Sequence, residues 1–141
     1  MRVDEIMTRS PACCTPETSL TQVAGMMARN DCGAIPIVDS YGARHLVGIV
    51  TDRDIVCRSI ALGKDPMDLT ARDCMTASVT TVTPNDSLET CCRKMEHQHI
   101  RRIPVVDGTG GCMGIVSQAD IARVAPDIQI GGVVHELSMP L

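Results

Sequence analysis

Apolar residues recur at positions i, i+3, i+4 and i+7 in two segments of the chain. They are Leu20, Val23, Ala24 and Met27 in the first segment and Leu88, Cys91, Cys92 and Met95 in the second. This spacing predicts two amphipathic helices, each with one face in a hydrophobic core. A helix-capping signal precedes each one, namely Ser19 with Gln22 in the first segment and Asp86 with Glu89 in the second.

Short β-rich segments surround each predicted helix. A strand at residues 13–15 or 79–83 and a proline precede the helix, and a hairpin with turn residues 39–42 or 107–111 follows it. The second hairpin strand leads directly into a closing helix at Thr51 or Ser117. The predicted order is β-α-β-β-α, with one apolar sheet face that a single unit cannot bury. We therefore expect two copies to pack sheet against sheet.

The chain repeats itself. At an offset of 68 residues, 12 of the 33 positions from Met7 to Asp39 are identical to those from Met75 to Asp107. Beyond Asp39 the offset becomes 66, and the two missing residues fall in a turn. The duplication predicts a first repeat at residues 1–63, a linker at 64–70, a second repeat at 71–125 and a tail at 126–141 that has no assigned role, with Pro126 ending the last helix.

The repeated motifs resemble a family. A Met-Thr opening, an Ile-Pro-(Ile/Val)-Val-Asp strand and a Gly-Ile-Val-(Thr/Ser)-x-x-Asp turn occur in both halves. Together they resemble a tandem pair of CBS domains, the Bateman module, over residues 1 to 125. The resemblance implies an α/β (α+β) fold with two β-α-β-β-α units about a pseudo-twofold axis. It also implies two clefts, each able to take an adenosine-containing ligand.

Two strand-to-helix turns carry the candidate chemistry: the first turn (residues 51–54) and the second turn (residues 117–120). Thr51 and Ser117 stand at the expected N-caps, where a hydroxyl can cap the helix or meet a phosphate. Asp54 and Asp120 follow three residues later, and a carboxylate there can accept both hydroxyls of a ribose. The alternative is a capping box that serves only the backbone. The occurrence of the same Thr/Ser-x-x-Asp turn in both repeats favours ligand binding. The resemblance assigns the Thr or Ser to phosphate and the Asp to ribose.

The second repeat is richer in basic residues than the first. Its basic side chains are Arg93, Lys94, His97, His99, Arg101 and Arg102. Arg101 and Arg102 replace Gly33 and Ala34 of the first repeat. The resemblance implies that Arg102 reaches a ligand phosphate, with Arg101 beside it, so we expect tighter binding of phosphate-rich ligands at the second turn. For Arg93 and Lys94 the alternative is an ordinary solvated helix face.

The adenine site is less visible in the sequence. The resemblance points to Thr76 and Ala77 for adenine contacts, and to Ile35 and Ile103 as apolar walls. No glycine-rich phosphate loop of the Walker or Rossmann type occurs, so the sequence offers no machinery for nucleotide hydrolysis or hydride transfer.

Composition excludes several classes of protein. The 141 residues are 44% hydrophobic and 21% charged, which is enough to build a core, and the net charge is -4. One tyrosine and no phenylalanine or tryptophan argue against nucleic-acid binding by aromatic stacking. The start of the chain lacks the features of a signal peptide and the apolar runs are short, so we expect a cytoplasmic protein without membrane contact.

Eight cysteines raise the question of a metal or redox site. Six of them lie opposite apolar residues of the other repeat and are predicted to be small core residues. They are Cys14, Cys32, Cys74, Cys91, Cys92 and Cys112. Cys13 and Cys57 lack such a partner, and Cys57 is the predicted accessible thiol.

Metal binding and catalysis are not expected. His97 and His99 lie at i+5 and i+7 from Cys92, a spacing that does not suit a zinc site on one helix. No local motif combines a nucleophile with a base, so an enzyme is not expected either.

The sequence as a whole predicts a stand-alone regulatory module. It would bind AMP, ADP, ATP, NAD or S-adenosylmethionine in clefts between its repeats, with AMP or ATP as first candidates. It would act as a homodimer and signal to an unidentified protein in trans. The alternatives are a ligand-free structural or interaction dimer and a cysteine-based metal or redox sensor.

Overall fold

The computed structural model describes residues 1–124, so the predicted tail at 126–141 and Pro126 lie outside the described residues. The helices are α1 (Leu20–Asn30), α2 (Asp52–Arg58), α3 (Ala71–Cys74), α4 (Leu88–Gln98) and α5 (Gln118–Val124). The strands are β1 (Thr8–Arg9), β2 (Ala34–Val38), β3 (Leu46–Thr51), β4 (Arg102–Val106) and β5 (Cys112–Ser117). This order of small sheets and helices confirms the α/β fold class.

The two amphipathic helices, α1 and α4, lie where the apolar spacing predicts them. Their buried residues are Leu20, Val23 and Met27 in α1 and Leu88, Cys91, Cys92 and Met95 in α4. Ala24 is exposed, unlike its counterpart Cys92. Seven of the eight predicted face positions are therefore buried. The core covers a narrower stripe of α1 than of α4.

The N-caps of these helices are equivalent serines. Ser19 Oγ accepts a hydrogen bond from the Gln22 N–H at 3.2 Å, as predicted. In α4 the cap is Ser87, whose Oγ accepts from the Thr90 N–H at 3.1 Å, so the prediction of Asp86 as the cap is wrong. The Asp86 carboxylate instead accepts a hydrogen bond from the N–H of Thr83 at 2.8 Å.

The predicted first strand of each repeat is a single β-bridge rather than a strand. Cys14 pairs in parallel with Ile37, and Val82 pairs in the same way with Val105. A proline stands two residues after each bridge. Because proline has no N–H to donate, the ladder does not continue through it.

The chain forms two compact units that differ from the two halves of the sequence. Among the described residues, the β5 unit contains 1–10, 80–109 and 113–124, and the β3 unit contains 11–79 and 110–112. The first ten residues thus belong with the second repeat, whereas residues 71–79 belong with the first. The duplication is compatible with this exchange, because the two exchanged segments are equivalent at the 68-residue offset.

Each exchanged segment adds to the sheet of its unit. In the β5 unit the strand order is β1-β5-β4, with Thr8 opposite Ile115 in an antiparallel pair. In the β3 unit β2 pairs antiparallel with β3, and Thr76 forms a bridge with Ile49 at the place equivalent to β1. The inner residues of each sheet pack on the apolar face of α4 or α1.

The sheets position both candidate turns. Thr51 is the last residue of β3 and Ser117 the last of β5, and α2 and α5 begin at the next residue. Within residues 1–124 there is no helix with the length and hydropathy that crossing a membrane requires.

Candidate functional site

The first turn, in the β3 unit, is a reciprocal capping box. Thr51 Oγ1 accepts a hydrogen bond from the Asp54 N–H at 3.1 Å, and Asp54 Oδ2 accepts one from the Thr51 N–H at 3.0 Å. The Asp54 side chain is 19% exposed, and its Oδ1 atom lies 3.9 Å from Arg58 Nε. Asp54 Oδ2 therefore stabilises the turn, and among residues 1–124 the ion-pair partner of Oδ1 is Arg58, at a distance close to the upper limit for an ion pair.

The second turn, in the β5 unit, has the same backbone arrangement. Ser117 Oγ accepts from the Asp120 N–H at 3.2 Å, and Asp120 Oδ2 accepts from the Ser117 N–H at 2.9 Å. Asp120 is more buried than Asp54, with 7% of the residue exposed. Its Oδ1 accepts a hydrogen bond from Arg123 at 2.9 Å. Both carboxylate oxygens are thus engaged, although each oxygen can accept a second hydrogen bond.

Capping and ligand binding are compatible in this geometry. The capping box uses Oδ2 of Asp54 and Asp120 and leaves lone pairs on Oδ1. Arg58 and Arg123, which were not among the predicted site residues, pair with the two carboxylates. Their i+4 and i+3 spacing from Asp54 and Asp120 is a readable signal for such ion pairs.

Arg101 and Arg102 lie directly beside the second turn. The N–H of Gln118, the first residue of α5, donates to the Arg101 carbonyl at 2.8 Å. Arg102, the first residue of β4, is half-buried, and Arg101 is exposed. At the first turn the corresponding bond runs from Asp52 N–H to the Gly33 carbonyl at 3.0 Å. The two turns therefore share a backbone frame but differ in charge.

The residues suggested for adenine contacts lie in different environments. Thr76 exchanges two backbone hydrogen bonds with Ile49 of β3, at 2.8 and 3.0 Å, and Ala77 beside it is exposed. Ile35 and Ile103 are fully buried in the cores of their own units. The β5 unit has Thr8 where the β3 unit has Thr76. Thr8 was not among the predicted site residues, although the aligned Met-Thr motifs contained that signal.

The remaining basic residues of the second repeat are not all at the second turn. Arg93, Lys94 and His97 lie on α4 and line a groove whose lining contains neither Ser117 nor Asp120. His99 is the C-cap residue of α4.

Six cysteines are buried, and the other two, Cys32 and Cys57, are exposed. The prediction of Cys57 as an accessible thiol is confirmed, but the assignment of Cys32 to the core is wrong. Cys32 lies just after α1, and its counterpart Ile100 is itself only half-buried. Cys13 is buried although it lies opposite Thr81 in the repeat alignment.

Burial also determines the acid–base behaviour of the core thiols. It raises the pKa of Cys14 to about 11 and that of Cys91 to about 12. Desolvation disfavours the charged thiolate, so these side chains remain neutral thiols near pH 7. Among residues 1–124, no three His, Cys, Asp or Glu side chains are grouped in a way that could hold a metal ion.

Comparison with known proteins gives a consistent picture. The family model for the CBS domain matches the chain twice, over residues 3–59 and 71–127. The chain is 35% identical over 137 residues to hypoxic response protein 1 of Mycobacterium tuberculosis, and the match covers 97% of this chain and 94% of that protein.

Solved structures of similar proteins share the fold. Hypoxic response protein I, crystallised with two coordinated zinc ions, has a TM-score of 0.79 at 35% identity and covers 89% of this chain and 100% of its own. The CBS domain pair of protein MJ0100, in complex with 5′-methylthioadenosine and S-adenosyl-L-methionine, has a TM-score of 0.78 at 28% identity, covering 87% and 94%. A hexameric CBS-CP12 protein from bloom-forming cyanobacteria has a TM-score of 0.80 at 25% identity, covering 92% and 73%.

Proposed function

The chain belongs to the CBS-domain family, and on this premise we propose that it is a regulatory module that binds an adenosine-containing ligand at its strand-to-helix turns. AMP and ATP are the first candidates, followed by ADP, NAD and S-adenosylmethionine. The module acts as a homodimer and passes the binding signal to a partner protein in trans. The observation that carries the proposal is the occurrence of one hydroxyl–carboxylate turn, with the same geometry, in each unit.

The ribose is the ligand group that the turns suit best. In each turn the capping box occupies Oδ2 of the aspartate, and Oδ1 retains acceptor capacity for a diol hydroxyl. Hydrogen bonds from neutral donors to a carboxylate are stronger than those between neutral groups, so a ribose diol gains more here than at an amide.

The phosphate fits the second turn better than the first. Arg101 is tied to the turn through the Gln118 N–H, and Arg102 follows as the half-buried first residue of β4. Arginine presents several donors in a fixed plane that matches phosphate oxygens. The first turn has Gly33 and Ala34 at the same positions, so a ligand there relies on its nucleoside part.

The relatives support the ligand class. The CBS pair of MJ0100 is described in complex with two adenosine-containing compounds, and it is 28% identical to this chain. The two compounds bound by MJ0100 share an adenosyl group and differ in their 5′ substituents. This agrees with two turns in the present chain that would both hold the ribose but that differ in charge.

A thermal-shift panel tests the proposal. Ligand-stripped protein is heated with AMP, ADP, ATP, NAD, S-adenosylmethionine or GMP. A ligand at 100 times its Kd adds about 2.7 kcal/mol to the free energy of unfolding, which for a chain of this size raises Tm by several degrees. We expect a rise with at least one adenosine compound and a smaller one with GMP.

The Asp54→Asn/Asp120→Asn double variant is the control for the site. Asparagine keeps one side-chain acceptor for each capping bond but loses the charge that strengthens the diol contact. Loss of the Tm rise in a variant that still unfolds cooperatively supports the proposal. A flat panel on folded wild-type protein contradicts it and favours the ligand-free interaction dimer.

A zinc-binding role is the second candidate. It is favoured by hypoxic response protein I, which is 35% identical to this chain and was crystallised with two coordinated zinc ions. Equilibrium dialysis against zinc, followed by metal analysis, measures the stoichiometry. A tightly bound equivalent per chain that is lost in Cys32→Ser or Cys57→Ser variants would favour a cysteine-based sensor.

A further inference from the structure

A concave groove runs along α4 in the β5 unit. Its volume is about 440 Å³, within the range of small-molecule sites. It is lined by Thr80, Thr90, Arg93, Lys94, His97 and Gln98. All of these residues belong to the β5 unit, so the groove is complete within one compact body.

The groove is positively charged along one side of the helix. Thr90, Arg93, Lys94 and His97 follow one another at i, i+3, i+4 and i+7, which places their side chains on a single helix face. No acidic side chain of the described chain is among the lining residues. Glu89 and Glu96 stand four residues before and three residues after Arg93 on the same helix. Neither forms an ion pair with Arg93 within residues 1–124, so its guanidinium is available to a bound anion.

One of the cations is held in place. Lys94 Nζ donates a hydrogen bond to the carbonyl of Thr81, the residue after Thr80 of the groove, at 2.7 Å. This bond uses one of three ammonium donors and leaves two for a bound group. Fixing the side chain in advance lowers the entropy that a ligand must overcome when it binds.

The duplication shows that the fold does not require this charge. The first-repeat counterparts of Thr80, Thr90, Arg93 and Lys94 are Ala12, Gln22, Gly25 and Met26. The equivalent helix α1 forms and packs with those neutral residues in place. The Arg93 and Lys94 cations and the hydroxyl groups of Thr80 and Thr90 are thus absent from the equivalent positions of the first repeat. That repeat has a single basic counterpart to the lining, Arg29, which lies opposite His97 in the repeat alignment.

We propose that this groove is a binding site for a small phosphate-bearing anion, separate from the second turn. Arg93 supplies a planar set of donors and Lys94 a compact charge, both of which suit phosphate oxygens. Thr80, Thr90 and Gln98 add neutral donors around them. The volume exceeds what one phosphate fills, so the class is an organic phosphate or a pyrophosphate. The site does not depend on adenosine binding at the turns.

Titration of the full chain with inorganic pyrophosphate at constant ionic strength tests this site. Binding is followed by calorimetry and by amide chemical shifts. We expect saturable binding, with the largest shifts in residues 88–98 and 80–81. Arg93→Ala and Lys94→Met each raise Kd at least fivefold, and methionine is the residue that the first repeat carries at the Lys94 position. Arg29→Ala, which removes one exposed charge from α1, leaves Kd within twofold.

The remaining outcomes separate this site from the proposed function. Asp120→Asn is expected to leave pyrophosphate binding unchanged even where it reduces the response to adenosine compounds. Equal weakening by Arg29→Ala and Lys94→Met would mean general charge attraction and would overturn the site. A flat titration, or shifts confined to Arg102 and the second turn, would overturn it as well. Because Arg93 is exposed, Arg93→Ala keeps the test valid if Lys94→Met impairs folding.

Discussion

Gly114 of β5 lies against Met7 so closely that a Cβ atom on residue 114 would stand 2.6 Å from Met7 Sδ. The Thr8 carbonyl oxygen would be 3.1 Å away from the same atom. The other unit repeats this relationship, with a Cβ on Gly48 2.9 Å from Met75 Sδ. The glycine of the Gly-Ile-Val motif therefore admits the Met-Thr segment of the same unit onto the sheet.

Alanine at either glycine is expected to destabilise the protein. The Met side chain can move, but the neighbouring backbone carbonyl limits how far the strands can separate, and overpacking of this kind costs about 1–3 kcal/mol. Urea unfolding of Gly114→Ala and Gly48→Ala measures the loss. Gly108→Ala is the matched control, because nothing lies within 4 Å of a Cβ there. An equal effect of all three variants would contradict this close-approach explanation.

The sequence predicted the repeated elements well because their signals are local. The apolar spacing of α1 and α4, and the Thr51 and Ser117 turns, depend on residues within one or two turns of each other. The duplication then made each signal count twice, since the same pattern at a fixed offset is hard to produce by chance.

The exchange of N-terminal segments was not predicted. Met7 and Met75 begin identical Met-Thr motifs, and neither sequence segment indicates which unit it joins. That choice depends on long-range pairing, such as Thr8 opposite Ile115, which hydrophobic periodicity does not encode. The pairing of Arg58 and Arg123 with the acids of the turns is different, because their i+4 and i+3 spacing is local and was readable from the sequence.

Two thiols per chain are expected to react rapidly with an aromatic disulfide reagent in the native state. They are Cys32 and Cys57, which are exposed, whereas the other six cysteines are buried. The Cys32→Ser/Cys57→Ser double variant should lose the fast phase while keeping the slow one, which follows unfolding. Fast reaction of a third thiol in folded protein would contradict the burial of the core cysteines.

Stability is expected to fall in alkaline solution. A thiol in the unfolded chain has a pKa of about 8.5. In the folded protein the pKa is about 11 for Cys14 and about 12 for Cys91. Between these limits the folded state binds more protons than the unfolded state, so the free energy of unfolding decreases as pH rises. The contribution of these two thiols to stability is fully retained below about pH 8.5. Urea unfolding from pH 7 to pH 11 measures this decrease.

Valine variants provide the control for the alkaline effect. Val82 and Val23 are the repeat counterparts of Cys14 and Cys91, so Cys14→Val and Cys91→Val place residues that the fold already accepts at these positions. Each variant should lose stability less steeply between pH 9 and 11 than the wild type. Parallel pH profiles would show that other groups cause the decrease.

The Asp39 carboxylate is expected to make one hairpin sensitive to acid. Its Oδ1 accepts from the N–H groups of Ser40 at 2.7 Å and His45 at 2.9 Å, and its Oδ2 lies 3.1 Å from His45 Nδ1. Desolvation raises the pKa of Asp39, but the hydrogen bonds from His45 and Ser40 outweigh it, and the pKa lies below its ordinary value. The stability from this group is therefore present above about pH 4 and is lost as pH falls through the folded pKa.

Asp39→Asn separates this charge from the turn geometry. Asparagine can still accept the backbone hydrogen bonds, but it does not titrate. The variant should be less stable than the wild type at pH 7, and the difference should shrink by pH 3. A constant difference at both pH values, measured by urea unfolding, would show that the charge of Asp39 does not contribute.

Arg102 is expected to distinguish nucleotides from nucleosides at the second turn. Arg102→Ala should weaken AMP binding by about 10- to 150-fold, because a hydrogen bond to a charged group is worth about 1.5–3 kcal/mol. It should leave adenosine binding unchanged. Asp120→Asn should weaken both ligands, since both carry the ribose. Calorimetric titration of each variant with both ligands measures the four affinities. If Arg102→Ala weakens AMP and adenosine equally, the residue stabilises the β4 edge of the site and does not contact the phosphate.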